Sequence, residues 1–355
     1  MRPLLVVPAL FGTELHDEEL GAIWGTFGCL YRGPLLSSPA GELRGKPGKV
    51  MAAIPLLAGL RYDILGALQQ ALGRGGYVAG KNLHLFAYDW RLRAVDIAAT
   101  LVSEIRQLAE ASGQDVDMLG LSNGGLLVRA AFAIDAALPV ERVVTSGAPL
   151  AGSRESLACL NVGFKFAPLG RTVSPGEFIA CPGSLDCLPP PERQVFLERG
   201  EKRHDLYDAA DWKSLRLSVF GARRAGRERR AGQDQAQRDQ HWMGIVTDRL
   251  RSARDSWLTL NRAAAPRNLI CVCGAGLPTQ VKIVIDDQGR ACVPGEGHVS
   301  KLPPEALADG DGGVSLDSAS AWAGANPEVV RIPVGRHRDV VRTPAAFRAI
   351  LGGLT

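Results

Sequence analysis

The chain has 355 residues, of which 46% are hydrophobic and 22% charged; 41 basic against 37 acidic side chains leave a formal charge of +4. That much apolar surface excludes a disordered chain, and no apolar run reaches the roughly 18–20 residues that a membrane-spanning helix needs. So small a charge excess does not predict the concentrated basic face that nucleic-acid binding requires.

The elements follow in order. Residues 4–8 (LLVVP) read as a fully apolar strand. The opening MRPLLVVPALFG is short and lacks a small-residue cleavage site, so it is expected to be a buried strand and not a signal peptide. Residues 62–74 carry Ile64, Leu65, Leu68 and Leu72 at helical spacing, and residues 83–88 alternate as a strand. A helix starts at Asp96, carries Ile97, Leu101, Ile105 and Leu108, and ends near Gly113. Residues 115–121 form a strand, Gly124 to Ala137 a helix, and residues 140–146 another strand. Strands separated by helices imply right-handed crossovers and a mostly parallel sheet flanked by helices, an α/β fold.

Residues 152–265 break that alternation. They are rich in Gly, Pro and Arg, with a long polar helical stretch over 233–262. Strands resume at 268–274, 280–286 and 328–334, and a helix follows at 344–352. The expected organisation is a core of residues 1–151 and 266–355, interrupted by a cap insertion at 152–265. Seven cysteines include no CxxC pair and no His/Cys cluster at zinc spacing, so no metal is expected. A disulfide between Cys181 and Cys187 stays open, and a reducing cytoplasm is the default location.

The sharpest chemical feature is Gly120-Leu121-Ser122-Asn123-Gly124. It lies between the strand DVDMLGL and a helix, the setting in which a tight turn lifts a serine Oγ above a sheet. Such a nucleophile needs a base and an orienting acid. His337 alone among six histidines follows a late strand and precedes the last helix. His298 is second choice, His84 reads as structural, and His16, His204 and His241 read as loop or surface residues. Asp311, in the loop DGDGGV, fits the order Ser, acid, His; Asp309 and Asp317 are its rivals. Oxyanion donors are expected from the backbone N–H of Asn123 and from the loop after the first strand, with Leu10 the best choice there.

Several blocks make the chain similar to the lecithin:cholesterol acyltransferase family, which includes lysosomal phospholipase A2. VVPALFGTEL at 6–15, AYDWRL at 87–92, GLSNGG at 120–125, SGAPLAGS at 146–153, GAGLPT at 274–279 and DGDGGVSLDS at 309–318 occur in the family's order. The resemblance implies an α/β-hydrolase with a cap and a membrane-binding, lid-like segment, here 16–60 (Trp24, Phe27, Leu30, Tyr31, Leu35, Leu56, Leu57). It implies Ser122 as nucleophile, Asp311 as acid partner and His337 as base, working on a lipid ester without metal or cofactor. The partner is then a lipid or other ester, with peripheral membrane contact and no nucleic acid. The departures are Leu121 and Asn123 around the serine and Ala9 after Pro8; Asn123 could bring a polar side chain near the oxyanion hole. Asp89 and Arg91 are expected to form a buried pair that positions their loop. Arg223, Arg224, Arg227, Arg229 and Arg230 read as a solvated loop, with contact to phosphate headgroups as the alternative. Two other functions fit the same residues: a soluble esterase or lactonase on a non-lipid ester, and a catalytically weak hydrolase-fold binding protein.

Overall fold

The computed structural model describes residues 1–31, 36, 42–56, 60–165, 170–198, 203–221, 235–289, 291–293 and 301–355. His298, Leu35, Leu57 and the five arginines between 223 and 230 lie outside them.

The core alternates β1 (Leu4–Val7), α1 (Gly66–Arg74), β2 (Leu83–Leu85), α2 (Ala94–Ser112), β3 (Val116–Leu121), α3 (Asn123–Ile134) and β4 (Val140–Ser146). After α4 (Arg154–Val162) and α5 (Gln235–Leu260) come β5 (Leu269–Ala275), β6 (Glu328–Pro333) and α6 (Pro344–Leu354). The six strands form one sheet in the order β6-β5-β4-β3-β1-β2, and every neighbouring pair is parallel.

Strand periodicity explains the layers. Successive side chains point to opposite faces. Leu5, Val7, Met118, Val143, Cys271 and Cys273 therefore share one apolar cluster with Ile97, Leu101 and Ile105 of α2 and with most of α3. Leu4, Val6, Leu119, Leu121, Val144 and Val272 face the other way, onto Leu68 and Leu72 of α1 and Ala346, Ile350 and Leu354 of α6. Both faces are covered, so β1 and β3 are buried along their whole length, β3 even at Asp117.

Residues of the expected cap pack on the first of these faces. Val246, Leu250, Ala253, Trp257 and Leu260 of α5 belong to the same cluster as α3. Buried Arg129 of α3 donates to the Leu260 and Leu150 carbonyls, at 3.0 and 2.7 Å. Desolvation lowers its guanidinium to about 10. Trp257 Nε1 donates to the Leu188 carbonyl at 3.0 Å.

Several boundaries differ from the sequence reading. The helix expected over 62–74 starts at Gly66, because Arg61–Asp63 pairs antiparallel with Ala53–Pro55. Asp63 Oδ1 then accepts the Ala67 N–H, which turns the chain into α1. The strand expected over 280–286 is two strands, Leu277–Gln280 and Ile283–Ile285, and the first pairs with Leu307–Gly310, a ladder that periodicity did not reveal. In the segment 16–60, Thr13–Asp17 pairs antiparallel with Gly21–Trp24 and Lys46–Val50. Trp24 and Leu30 are buried there as core residues, and Phe27, Tyr31 and Leu56 are half-buried.

Among the described residues no helix is long and apolar enough to cross a membrane.

Candidate active site

Ser122 sits at the junction of β3 and α3 with φ +47° and ψ −120°, backbone space that a residue with a Cβ rarely enters. Such a conformation costs about 1–3 kcal/mol and persists only where the surroundings enforce it. The Ser122 N–H donates to the Ser146 carbonyl of β4 at 2.9 Å, and the Gly125 N–H donates back to the Ser122 carbonyl at 2.9 Å. The flanking glycines make this turn fit. A Cβ at Gly124 would lie 2.2 Å from the Val7 carbonyl oxygen, and one at Gly120 would lie 2.8 Å from Gly125 Cα. Gly124 thus lets the start of α3 press on the end of β1, which brings residues 8–12 beside the serine.

His337 opens a short turn, His337–Val341, after β6. Ser146 Oγ pins that turn by donating to the Val340 carbonyl at 2.6 Å. Ser122 Oγ and His337 Nε2 are 3.1 Å apart, and His337 Nδ1 lies 2.7 Å from Asp311 Oδ2. Asp311 is 1% exposed and follows the strand Leu307–Gly310. Its other oxygen accepts the N–H groups of Gly313 and Val314 at 2.9 and 2.6 Å. An ionised carboxylate only accepts, so neutral His337 carries its proton on Nδ1 and presents Nε2 to the serine hydroxyl. The structure therefore brings Ser122, His337 and Asp311 together at the carboxyl ends of the strands.

The lecithin:cholesterol acyltransferase family model matches residues 46–169. The Tle4-Tli4 complex contains a chain similar to this one, with TM-score 0.65, 16% identity, and coverage of 99% of this chain and 98% of that one. The chain has an α/β-hydrolase fold and is similar to lecithin:cholesterol acyltransferase. Bacillus licheniformis lipase BlEst2 in its mature form aligns over 100% of this chain and 92% of its own, at 14% identity and TM-score 0.43. No curated protein matches the sequence.

The electrostatics of this site are set by burial against pairing. Burial alone would push the His337 imidazole down, but the charge and hydrogen bond of Asp311, then the charge of Glu155, raise it to about 9. Burial alone would raise Asp311; the imidazolium, its hydrogen bond and the two loop N–H groups outweigh that and hold the carboxyl below its ordinary value.

Glu155 was not visible in the sequence as a site residue. It begins α4, where Ser153 Oγ accepts the N–H groups of Glu155 and Ser156 and donates to the Gly313 carbonyl at 3.0 Å. This cap fastens α4 to the loop that carries Asp311. A Cβ at Gly313 would lie 2.7 Å from Glu155 Oε2 and 3.0 Å from His337 Cβ, so the carboxylate and the imidazole meet over a bare glycine. The only local signal was the Ser-x-Glu start of a helix.

A cavity of about 200 Å³ opens at the serine. Leu10, Phe11, Phe164, Phe178, Ile64 and Val341 supply much of its apolar wall, and Ser122, His337, Glu155, Arg338 and Arg342 supply charge and hydrogen bonding. Leu10 lines it; Asn123, 3% exposed, does not. Among the described residues, the backbone N–H groups of Leu10 and Asn123 have no hydrogen-bond partner. The Asn123 side chain is buried. Its Oδ1 accepts the Cys187 thiol at 3.1 Å, and nearby the Tyr88 hydroxyl donates to the Pro8 carbonyl at 2.7 Å. It belongs to a buried network beneath residues 8–12.

The remaining candidates lie elsewhere. All seven cysteines are free thiols, and burial pushes Cys181 and Cys187 up to about 12. Asp309 accepts the Gly276 N–H at 2.7 Å, and Asp317 pairs with Arg193 at 2.7 Å. His84 lies in β2 and is half-buried. His16 is exposed beside Glu14, and His241 is exposed on α5. His204 lies in a loop, its side chain 6% exposed and 2.9 Å from Glu198. Among the described residues, no group of three or more His, Cys, Asp or Glu side chains could hold a metal ion.

Proposed function

We propose that this chain is a serine-dependent lipid acyl hydrolase or acyltransferase that works through an acyl-enzyme on Ser122. The observation that carries the reading is the continuous relay from Ser122 Oγ through His337 to Asp311, 3.1 and 2.7 Å, at the floor of an apolar cavity. The similarity to lecithin:cholesterol acyltransferase supports a lipid ester as substrate.

In this mechanism Oγ attacks the ester carbonyl while Nε2 takes its proton. Asp311 holds the imidazole tautomer and stabilises the imidazolium. The N–H groups of Asn123 and Leu10 receive the oxyanion. The C–O bond to the alcohol breaks, and His337 returns the proton to that leaving oxygen. Water or an acceptor alcohol then attacks the acyl-enzyme by the reverse sequence. Residues of the expected cap, Glu155, Phe164, Phe178 and Cys187, form one side of the acyl site. The cavity is smaller than the roughly 300–1,000 Å³ of ordinary ligand pockets, so long chains require its aromatic lip to part. The same small volume favours a second reading, an esterase for short acyl groups.

A fluorophosphonate probe tests the mechanism: it should label Ser122, with labelling lost in His337→Ala. Folded protein that resists the probe overturns it. A series of p-nitrophenyl esters separates the two substrates, since a lipid enzyme gains kcat/KM with chain length and a short-ester enzyme loses it.

The raised His337 sets the pH dependence. An imidazolium cannot accept the serine proton, so kcat/KM should climb with pH along an acid limb near 9. Glu155→Gln removes one of the charges that favour the imidazolium, so its limb should move to lower pH. A pH–rate profile unchanged by that substitution would show that Glu155 does not act on the base.

A further inference from the structure

The loop that carries the Leu10 N–H is strained at one residue. Phe11 has φ +66°, in the left-handed region that a bulky side chain rarely enters. The Gly12 N–H donates to the Ala9 carbonyl at 3.1 Å, and Leu10 keeps a negative φ. Residues 9–12 therefore form a type II turn with Phe11 in the position that ordinarily demands glycine. Relief of the strain has a defined course. A type II turn becomes a type I turn when its central peptide, here Leu10–Phe11, rotates by about half a turn. That rotation exchanges the Leu10 carbonyl and the Phe11 N–H across the loop. Leu10 and Phe11 both line the cavity that holds Ser122, so the relaxed loop would show this cavity the opposite end of the same peptide dipole.

The surroundings oppose the rotation. The ring centroids of Trp90 and Trp24 stand 4.4 and 5.1 Å from that of Phe11, and those of Phe178 and Phe164 stand 6.0 and 6.3 Å away. Trp24, Trp90 and Phe178 are themselves buried, so they hold the Phe11 ring against a packed core. Trp24 Nε1 also donates to the Phe11 carbonyl at 3.0 Å. The Tyr88 hydroxyl and the Met51 N–H fix the Pro8 and Gly12 carbonyls on either side of the turn, at 2.7 and 2.9 Å. Trp24 comes from the N-terminal segment, Trp90 from the loop after β2, and Phe164 and Phe178 from the expected cap. Strain persists only where the structure around it over-determines it, and it gathers at sites that need a preorganised group.

We infer that Phe11 is a positioning residue of the acyl-transfer reaction: its clamped ring holds the Leu10–Phe11 peptide in the type II orientation and so keeps the Leu10 N–H aimed at the oxyanion. The inference rests on the acyl-transfer reading of the same cavity. Preorganised N–H dipoles stabilise the transition state more than the bound ester, so the effect falls on kcat and not on KM.

The test uses p-nitrophenyl acetate, an ester small enough to leave the aromatic lip closed. Phe11→Ala keeps the strained φ and loses the clamp. Its kcat should fall by roughly 10²-fold, the size of a lost oxyanion donor, with KM little changed. Phe11→Gly loses the clamp as well, but glycine takes a positive φ freely, so it should be at least about fivefold faster than Phe11→Ala. A glycine variant no faster than the alanine variant overturns the inference, because a residue that only fills the wall is worse the smaller it becomes. A rise in KM with kcat unchanged also overturns it, by making Phe11 a substrate contact alone. Trp24→Phe keeps a ring and deletes the N–H on the Phe11 carbonyl, and it should lower kcat by about tenfold. Melting temperatures establish which variants are folded. An unchanged kcat in folded Trp24→Phe overturns the inference even where the Phe11 variants do not fold. Fluorophosphonate labelling keeps the two readings apart. A labelled wild type whose kcat is insensitive to these changes overturns this inference alone, whereas an unlabelled wild type overturns the acyl-transfer reading and this inference with it.

Discussion

Ser122→Ala is expected to lower kcat on an activated ester by roughly 10⁴- to 10⁶-fold while leaving the melting temperature close to that of the wild type. The size of the effect follows from how the three residues act as a unit. Without Oγ, His337 has no proton to take and no acyl-enzyme forms, so only water attack assisted by the oxyanion N–H groups remains. The small change in stability follows from the backbone. Alanine and serine both carry a Cβ, so the strain at φ +47° is the same in each. The bonds that impose the turn, Ser122 N–H to Ser146 and Gly125 N–H to Ser122, involve main-chain atoms alone. Asp311→Asn should cost about 10⁴-fold by the separate route of favouring the wrong imidazole tautomer. Stopped assays on purified, folded protein measure both. Retention of more than a few per cent of activity by Ser122→Ala would remove Ser122 from the mechanism.

The second large effect is on stability. Arg91→Ala should destabilise the fold by about 3–5 kcal/mol, because it leaves a buried carboxylate unpaired. Arg91 is fully buried and grips Asp89 with two donors, Nε at 2.9 Å and Nη2 at 2.7 Å. It also donates to the carbonyls of Leu36 and Gly45, which ties the N-terminal segment to the loop after β2. In that loop Trp90 Nε1 donates to the Thr13 carbonyl at 3.1 Å, and the Tyr88 hydroxyl supports Pro8. Removing Arg91 therefore loosens the floor under residues 8–12 as well as lowering stability. Asp89→Leu/Arg91→Met, which removes both charges and keeps the volume, should recover much of the loss. Urea unfolding of the three proteins decides it: a double variant as unstable as Arg91→Ala would mean that the carbonyl contacts, and not the stranded carboxylate, dominate.

Sequence reading was strongest where structure is decided locally. β1 is a short apolar run, and β3 is one but for Asp117, because both faces of a parallel sheet are covered, and that signature needs no partner to be recognised. The turn at Ser122 is equally local: the glycines on either side report close approaches of the backbone. Asp311 was harder. Asp309 and Asp317 have the same local chemistry, and what separates them is tertiary, since Asp311 alone of the three meets His337. Its place came from chain order and resemblance. The strand Arg61–Asp63 was hidden because the spacing of Ile64, Leu65, Leu68 and Leu72 extends a helical pattern over the residues just before it. Glu155 and the contacts of Phe164 and Phe178 with Phe11 were illegible for a stronger reason. Each depends on side chains brought together across more than 150 positions, and no periodicity encodes such a meeting. The Asn123 side chain is tertiary in the same way: its oxygen meets the Cys187 thiol, 64 positions along the chain.

The hydrogen bond between Ser122 and His337 joins residues 215 positions apart. Loop-closure entropy must be overcome before such a contact contributes anything, so topology of this kind folds slowly. β3 and its neighbours β1 and β4 are contiguous in the first half of the chain, but the imidazole arrives only when β6 has docked on β5 at the sheet edge. An activity-based label applied during refolding is therefore a clock for that last docking event. Far-ultraviolet circular dichroism, which reports helices α1 to α3 as they form, should run ahead of it.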